Sequence, residues 1–87
     1  MTQQIFVLDT GNGRVQRFSS TGFFLDQFGR QGSGQGEFNN PRGIAIDANR
    51  NVLVADTGNH RVQVLDQDGD VIRVIGSGGT GDGQLNL

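Results

Sequence analysis

The sequence predicts an all-β fold made of tandem antiparallel sheets, and three observations carry that prediction. The first is an internal repeat. Asp9-Thr10-Gly11-Asn12-Gly13-Arg14-Val15-Gln16 returns 47 residues later as Asp56-Thr57-Gly58-Asn59-His60-Arg61-Val62-Gln63, and at that offset 14 of the 40 alignable pairs are identical. Periods of about 20–50 residues mark solenoids, propellers and similar arrays. The second is a series of four-to-six-residue apolar runs separated by Gly, Asn, Asp and Ser, the signature of strands joined by tight turns. The third is what the chain lacks: no segment sustains the i, i+3, i+4, i+7 spacing of an amphipathic helix, and its 15 glycines weigh against one.

Taken in order, Ile5-Phe6-Val7-Leu8 reads as a strand ending at Asp9, and Thr10 to Gly13 as a turn. Arg14 to Phe18 alternates polar and apolar residues, Ser19 to Gly22 turns again, and Phe23 to Phe28 runs out to Gly29. Residues 29–40 are a glycine-spaced linker closing on Phe38-Asn39-Asn40. Pro41 then opens a strand with no counterpart in the first copy, Gly43 to Asp47; a proline is tolerated where a ladder has not yet begun. Val52 to Ala55, Arg61 to Leu65 and Val71 to Ile75 complete a four-strand meander, here called strands a to d, and residues 76–87 repeat the linker. The domains expected are thus a partial unit over residues 1–40, with strands b, c and d, and a full unit over 41–87.

Val52 and Val54 point to one face of their strand, and Leu53 and Ala55 to the other. All four are apolar, so both faces need cover, and a lone sheet of short strands does not stand by itself. Sheets stacked face to face around an axis provide that cover, which is the plan of a β-propeller. Seven strands do not close a ring. The expectation is a propeller fragment of two blades that completes a ring with copies of itself, most simply three copies for six blades, because heterologous contacts that close form rings. The competing reading is a piece of a longer propeller.

Composition sharpens this. With 87 residues, 33% hydrophobic and no Cys, the core is small and has no disulfide to staple it. Net charge is −2, which gives no basic footprint for nucleic acid. No apolar run approaches the roughly 20 residues of a membrane span. The first residues lack the regions of a signal peptide, so a cytoplasmic address is the default.

The Asp56 to Gln63 stretch, with Pro41-Arg42-Gly43-Ile44-Ala45-Ile46-Asp47 and Gly81-Asp82-Gly83-Gln84-Leu85, resembles the NHL repeat. The second copy resembles it throughout; the first does so from strand b, with Gly13 where the motif has His. The resemblance implies a propeller, usually six-bladed, serving as a platform for proteins or RNA; some relatives are enzymes.

Candidate residues fall at the b–c turns. Asp9 with Arg14, and Asp56 with Arg61, recur at the repeat period, which favours a structural turn with Arg bonded to the acid or to nearby carbonyls. Asn12, Asn59, His60 and Arg42 belong to the end of the propeller where binding loops gather. A protein or peptide ligand is expected there. RNA is the alternative, disfavoured because stacking aromatics and phosphate-binding cations are few. His60 is the sole imidazole and has no nucleophile in a triad pattern, so no catalysis is expected. No cofactor is expected either. Gly76 to Gly81 spells G-x-G-x-x-G without a helix to follow, and reads as a linker. Asp66 to Asp70 misplaces the glycine of a calcium loop, and reads as a c–d hairpin turn. A metal in the central channel would need ligands on strand a, which offers only Asp47 at its far end.

Overall fold

The computed structural model describes residues 4–76. Seven strands form two antiparallel meanders. The first holds β1 (Gln4–Asp9), β2 (Arg14–Ser19) and β3 (Phe24–Phe28). The second holds β4 (Gly43–Ile46), β5 (Val52–Asp56), β6 (Arg61–Leu65) and β7 (Val71–Ile75). The seven expected strands are all present, with ends differing by a residue or so. The strand absent from the first copy is the one the alignment lacked, so β1 has β2 on one side and no strand on the other among the described residues. No helix there is long and apolar enough to cross a membrane.

The turn between β1 and β2 is one 3-10 turn, Thr10–Asn12, closed by Gly13 in the left-handed region at φ 62°. Its counterpart, Thr57–Asn59, is closed by His60 at φ 53°. A left-handed residue is easy for glycine and strained for most others, which explains why Gly and His occupy one aligned position. The other hairpins are held by side-chain acceptors. Asp66 Oδ1 accepts from the N–H of Asp68 at 2.9 Å and of Asp70 at 3.0 Å. Asp47 Oδ1 does the same for Asn49 and Asn51 at 2.8 and 2.9 Å. The Asp66 segment is therefore a β6–β7 hairpin turn.

The sheets pack face to face. Register places Leu8 opposite Val15, and Val15 opposite Phe28, on one face of the first sheet. Ile44 opposite Val54, and Val52 opposite Leu65, share one face of the second. These residues meet in a core of buried Val15, Phe38, Val52, Val54 and Leu65, flanked by Phe6, Leu8, Phe28, Ile44 and Val71. Arg17 pairs with Asp26 and donates to the carbonyl of Gln67 at 3.0 Å, stitching the first sheet to the β6–β7 turn of the second.

Among the described residues the two remaining faces stay open. Ile5, Val7 and Phe24 are exposed on the back of the first sheet. An open hollow of about 320 Å³ lies over Gly43, Ala45, Leu53, Ala55 and Val62 on the back of the second. In repeat coordinates, 47 residues apart, these open faces correspond to the two faces already packed together: Ile5 and Val7 to Val52 and Val54, and Leu53 and Val62 to Phe6 and Val15.

Candidate functional site

The linker between the sheets returns to the second sheet at the β5–β6 turn, and there the strongest polar cluster forms. Asp56 ends β5 facing the core, with its side chain wholly buried. A buried carboxylate needs donors on its lone pairs, and it has four. Asn39 donates its backbone N–H at 2.7 Å, Arg61 its Nε–H at 2.7 Å, Asn59 its amide at 3.0 Å and Gln63 its amide at 3.1 Å.

Each of those side chains reaches onward to the linker. Asn59 also donates to the carbonyl of Gly32 at 2.9 Å. Arg61 Nη2 donates to the carbonyls of Gly34 at 2.7 Å and Glu37 at 3.0 Å. Gln63 donates to the carbonyl of Glu37 at 2.6 Å and accepts from the N–H of Gly36 at 3.0 Å. The linker is thus gripped almost wholly through its backbone. Phe38, fully buried, is its apolar anchor in the core. The fit is tight at Gly58: its N–H donates to the Asn39 carbonyl at 2.7 Å, and a Cβ there would sit 2.5 Å from that oxygen.

The first copy repeats the residues without the grip. Asp9 accepts from Asn12 at 3.0 Å and from Arg14 Nε–H at 2.8 Å, and these are its only side-chain donors among the described residues. Side-chain exposure is 32% and 26% for Arg14 and Asp9, against 14% and 0% for Arg61 and Asp56. A Cβ on Gly11, the counterpart of Gly58, would meet nothing within 4 Å. The Asn12 amide, and then the Arg14 guanidinium, hold the Asp9 carboxyl below its ordinary value of 3.8. The Gly34 N–H, and then Arg30, do the same for Glu37 from 4.5.

Residues 38–65, running from Phe38 through the clasped turn to the end of β6, match the family model of the NHL repeat. Over this segment the chain is similar to an NHL repeat. The segment contains Asp56 and the four residues that donate to its carboxylate among the described residues, Asn39, Asn59, Arg61 and Gln63. No curated protein matches the chain.

Of the residues singled out from sequence, Asp56 and Arg61 of the NHL repeat pair at 2.7 Å, and Asp9 and Arg14 pair at 2.8 Å in the other copy. Asn59 has both amide hydrogens engaged inside the fold, so it acts with the turn rather than on the loop surface. Asn12 and Arg42 are exposed. The Thr10 hydroxyl donates to the Pro41 carbonyl at 2.9 Å, which brings the start of strand a beside the first b–c turn. His60 Nδ1 is buried with no partner among the described residues. No group of three or more His, Asp or Glu among them is placed to hold a metal ion. Of Gly76 to Gly81, all but Gly76 lie outside the described residues.

Gln63 and Asn39 carry the clasp but were not among the sequence candidates. The available signal was the recurrence of Gln16 and Gln63 at one repeat position, two residues after the recurring Arg14 and Arg61.

Proposed function

We propose that this chain is a non-enzymatic propeller module that completes a ring with copies of itself, most simply three, and serves as a platform for a protein or peptide. One observation carries the proposal: the two open sheet faces are the repeat equivalents of the two faces already packed together. A back bearing Leu53, Ala55 and Val62 is built like the front of the first sheet, and a back bearing Ile5 and Val7 like the front of the second. Such complementary, non-identical surfaces associate head to tail, and a rotation that closes gives a ring.

The ligand surface is the end carrying the b–c turns and the start of strand a, where Asn12, His60 and Arg42 lie on a frame fixed by the clasp. Loops on a rigid scaffold are where recognition residues collect. Net charge of −2 favours a protein or peptide over RNA. Light scattering at micromolar concentration tests the assembly: the expected mass is about three times that of the chain, and a stable folded monomer refutes it. A gel shift with unstructured RNA at low salt tests the ligand class, with no shift expected.

A further inference from the structure

We infer that the half-filled cluster of Asp9, Asn12, Arg14 and Gln16 is a docking site for residues 79–86 of a second copy of this chain, whose linker it grips as the NHL repeat grips residues 32–39. The inference rests on the assembly reading above and says which contact makes it.

Its first support is the difference between the two copies. The same four side chains occur in both, at the same repeat positions, on the same face of their sheets. In the NHL repeat they are saturated by Gly32, Gly34, Gly36, Glu37 and Asn39. In the first copy only the Asp9 contacts to Asn12 and Arg14 are made among the described residues; Asn12 stays exposed and Asp9, Arg14 and Gln16 are half-buried. Nothing local in the first sheet requires an amide at Gln16, whose cross-strand neighbours are Val7 and Gln27, or a glycine at 11, where a side chain would meet open space. Both are required if a linker lies across them, as Asn39 lies against Gly58.

The second support is the linker itself. The grip is through backbone atoms, so an occupant needs glycines at the right spacing, an apolar anchor and a following Asn rather than any one side chain. Gly79, Gly81, Gly83, Leu85 and Asn86 stand 47 residues after Gly32, Gly34, Gly36, Phe38 and Asn39. Within these segments the linkers differ at four positions: Thr80 for Ser33 and Asp82 for Gln35, where the clasp makes no hydrogen bond, Gln84 for Glu37, where it takes only the backbone carbonyl, and Leu85 for Phe38, one apolar anchor for another.

Geometry sends this segment to another molecule. Residues 29–39 leave β3 and clasp the sheet that packs on the front of the first. If residues 76–86 follow β7 as residues 29–39 follow β3, the sheet they clasp is one that covers the open back of the second. The Asp9 cluster lies on the back of the first sheet, on the opposite side of the chain, so one molecule's linker meets the next molecule's cluster.

Complementation tests it. Leu85→Asp removes the anchor and keeps the cluster; Arg14→Ala removes the grip and keeps the linker. Each full-length variant, folded by circular dichroism, is expected to lose assembly at least tenfold in dissociation constant, and an equimolar mixture to form a 1:1 complex and nothing larger. Gln16→Ala is the second grip variant if Arg14→Ala does not fold. If wild type assembles and the variants keep its mass, the clasp is refuted while the ring survives. If wild type is monomeric, the ring is refuted, and a peptide of residues 76–87 decides the clasp. That peptide is expected to shift the Arg14 and Gln16 side-chain resonances of the wild-type chain, and no shift refutes docking.

Discussion

Replacing Asp56 by Ala removes the centre of the clasp, and the structure sets the scale of the loss. The carboxylate is wholly buried and takes four donors between 2.7 and 3.1 Å, one of them the Arg61 guanidinium. Breaking a buried pair by deleting one partner costs about 3–5 kcal/mol. Arg61 keeps its bonds to the Gly34 and Glu37 carbonyls, so its charge is not stranded, which argues for the lower end of that range. For a chain of this length total stability is roughly 4–13 kcal/mol, so about 3 kcal/mol is a large share. Urea denaturation at fixed protein concentration reads it as a shifted midpoint with unchanged slope, because association also moves apparent stability. The effect is expected to persist in high salt, since a buried pair is little screened. Combined with Gln63→Ala the cost is expected to fall well short of the sum, because both side chains serve one network. A loss below about 1 kcal/mol, the scale of an exposed ion pair, would refute the view that this carboxylate organises the turn.

Three further outcomes follow from the same geometry. Arg61→Lys is expected to lose about 1–3 kcal/mol, because a point ammonium does not replace a fork that reaches Asp56, Gly34 and Glu37 together; an unchanged melting temperature contradicts this. Gly58→Ala is expected to lower the melting temperature while Gly11→Ala leaves that of the dilute chain nearly unchanged, since only the former Cβ meets the Asn39 oxygen; equal effects would show the fit is not the cause. Asp9 and Glu37 titrate below their ordinary values of 3.8 and 4.5, so their contribution is present above about pH 4.5 and disappears as pH falls through the lowered values. Urea midpoints measured from pH 7 down to 2 should fall in that acid range, with a shallower fall for Glu37→Gln.

The strands were readable because β-branched runs and turn residues alternate at short range, and the repeat gave strands b, c and d, though not a, a second occurrence. The 3-10 turns were legible as turns, but the left-handed residue that closes each was not, because His60 stands where Gly13 does and glycine is the usual occupant of that backbone. The clasp was harder to see for two physical reasons. Its linker side consists of carbonyls and N–H groups of Gly32, Gly34, Gly36 and Glu37, and backbone atoms leave no residue-type signature. Its strand side includes Gln63, which simple alternation assigns to solvent, whereas the folded chain buries it completely. Asp56 and Arg61 were legible because a charged pair at a fixed offset stands out; what they hold was not.

The unpaired side of β1 has a consequence for handling the protein. Along Gln4 to Asp9 the amide and carbonyl groups that point away from β2 meet no strand among the described residues, and this stretch contains no proline or lysine to discourage a stray strand from adding to it. Crowding therefore opens a rival route, in which molecules zip along this border instead of meeting face on. A lysine in place of Leu53, on the open back of the second sheet, hinders face-on meeting and leaves this border untouched, so association that survives it is association along the border.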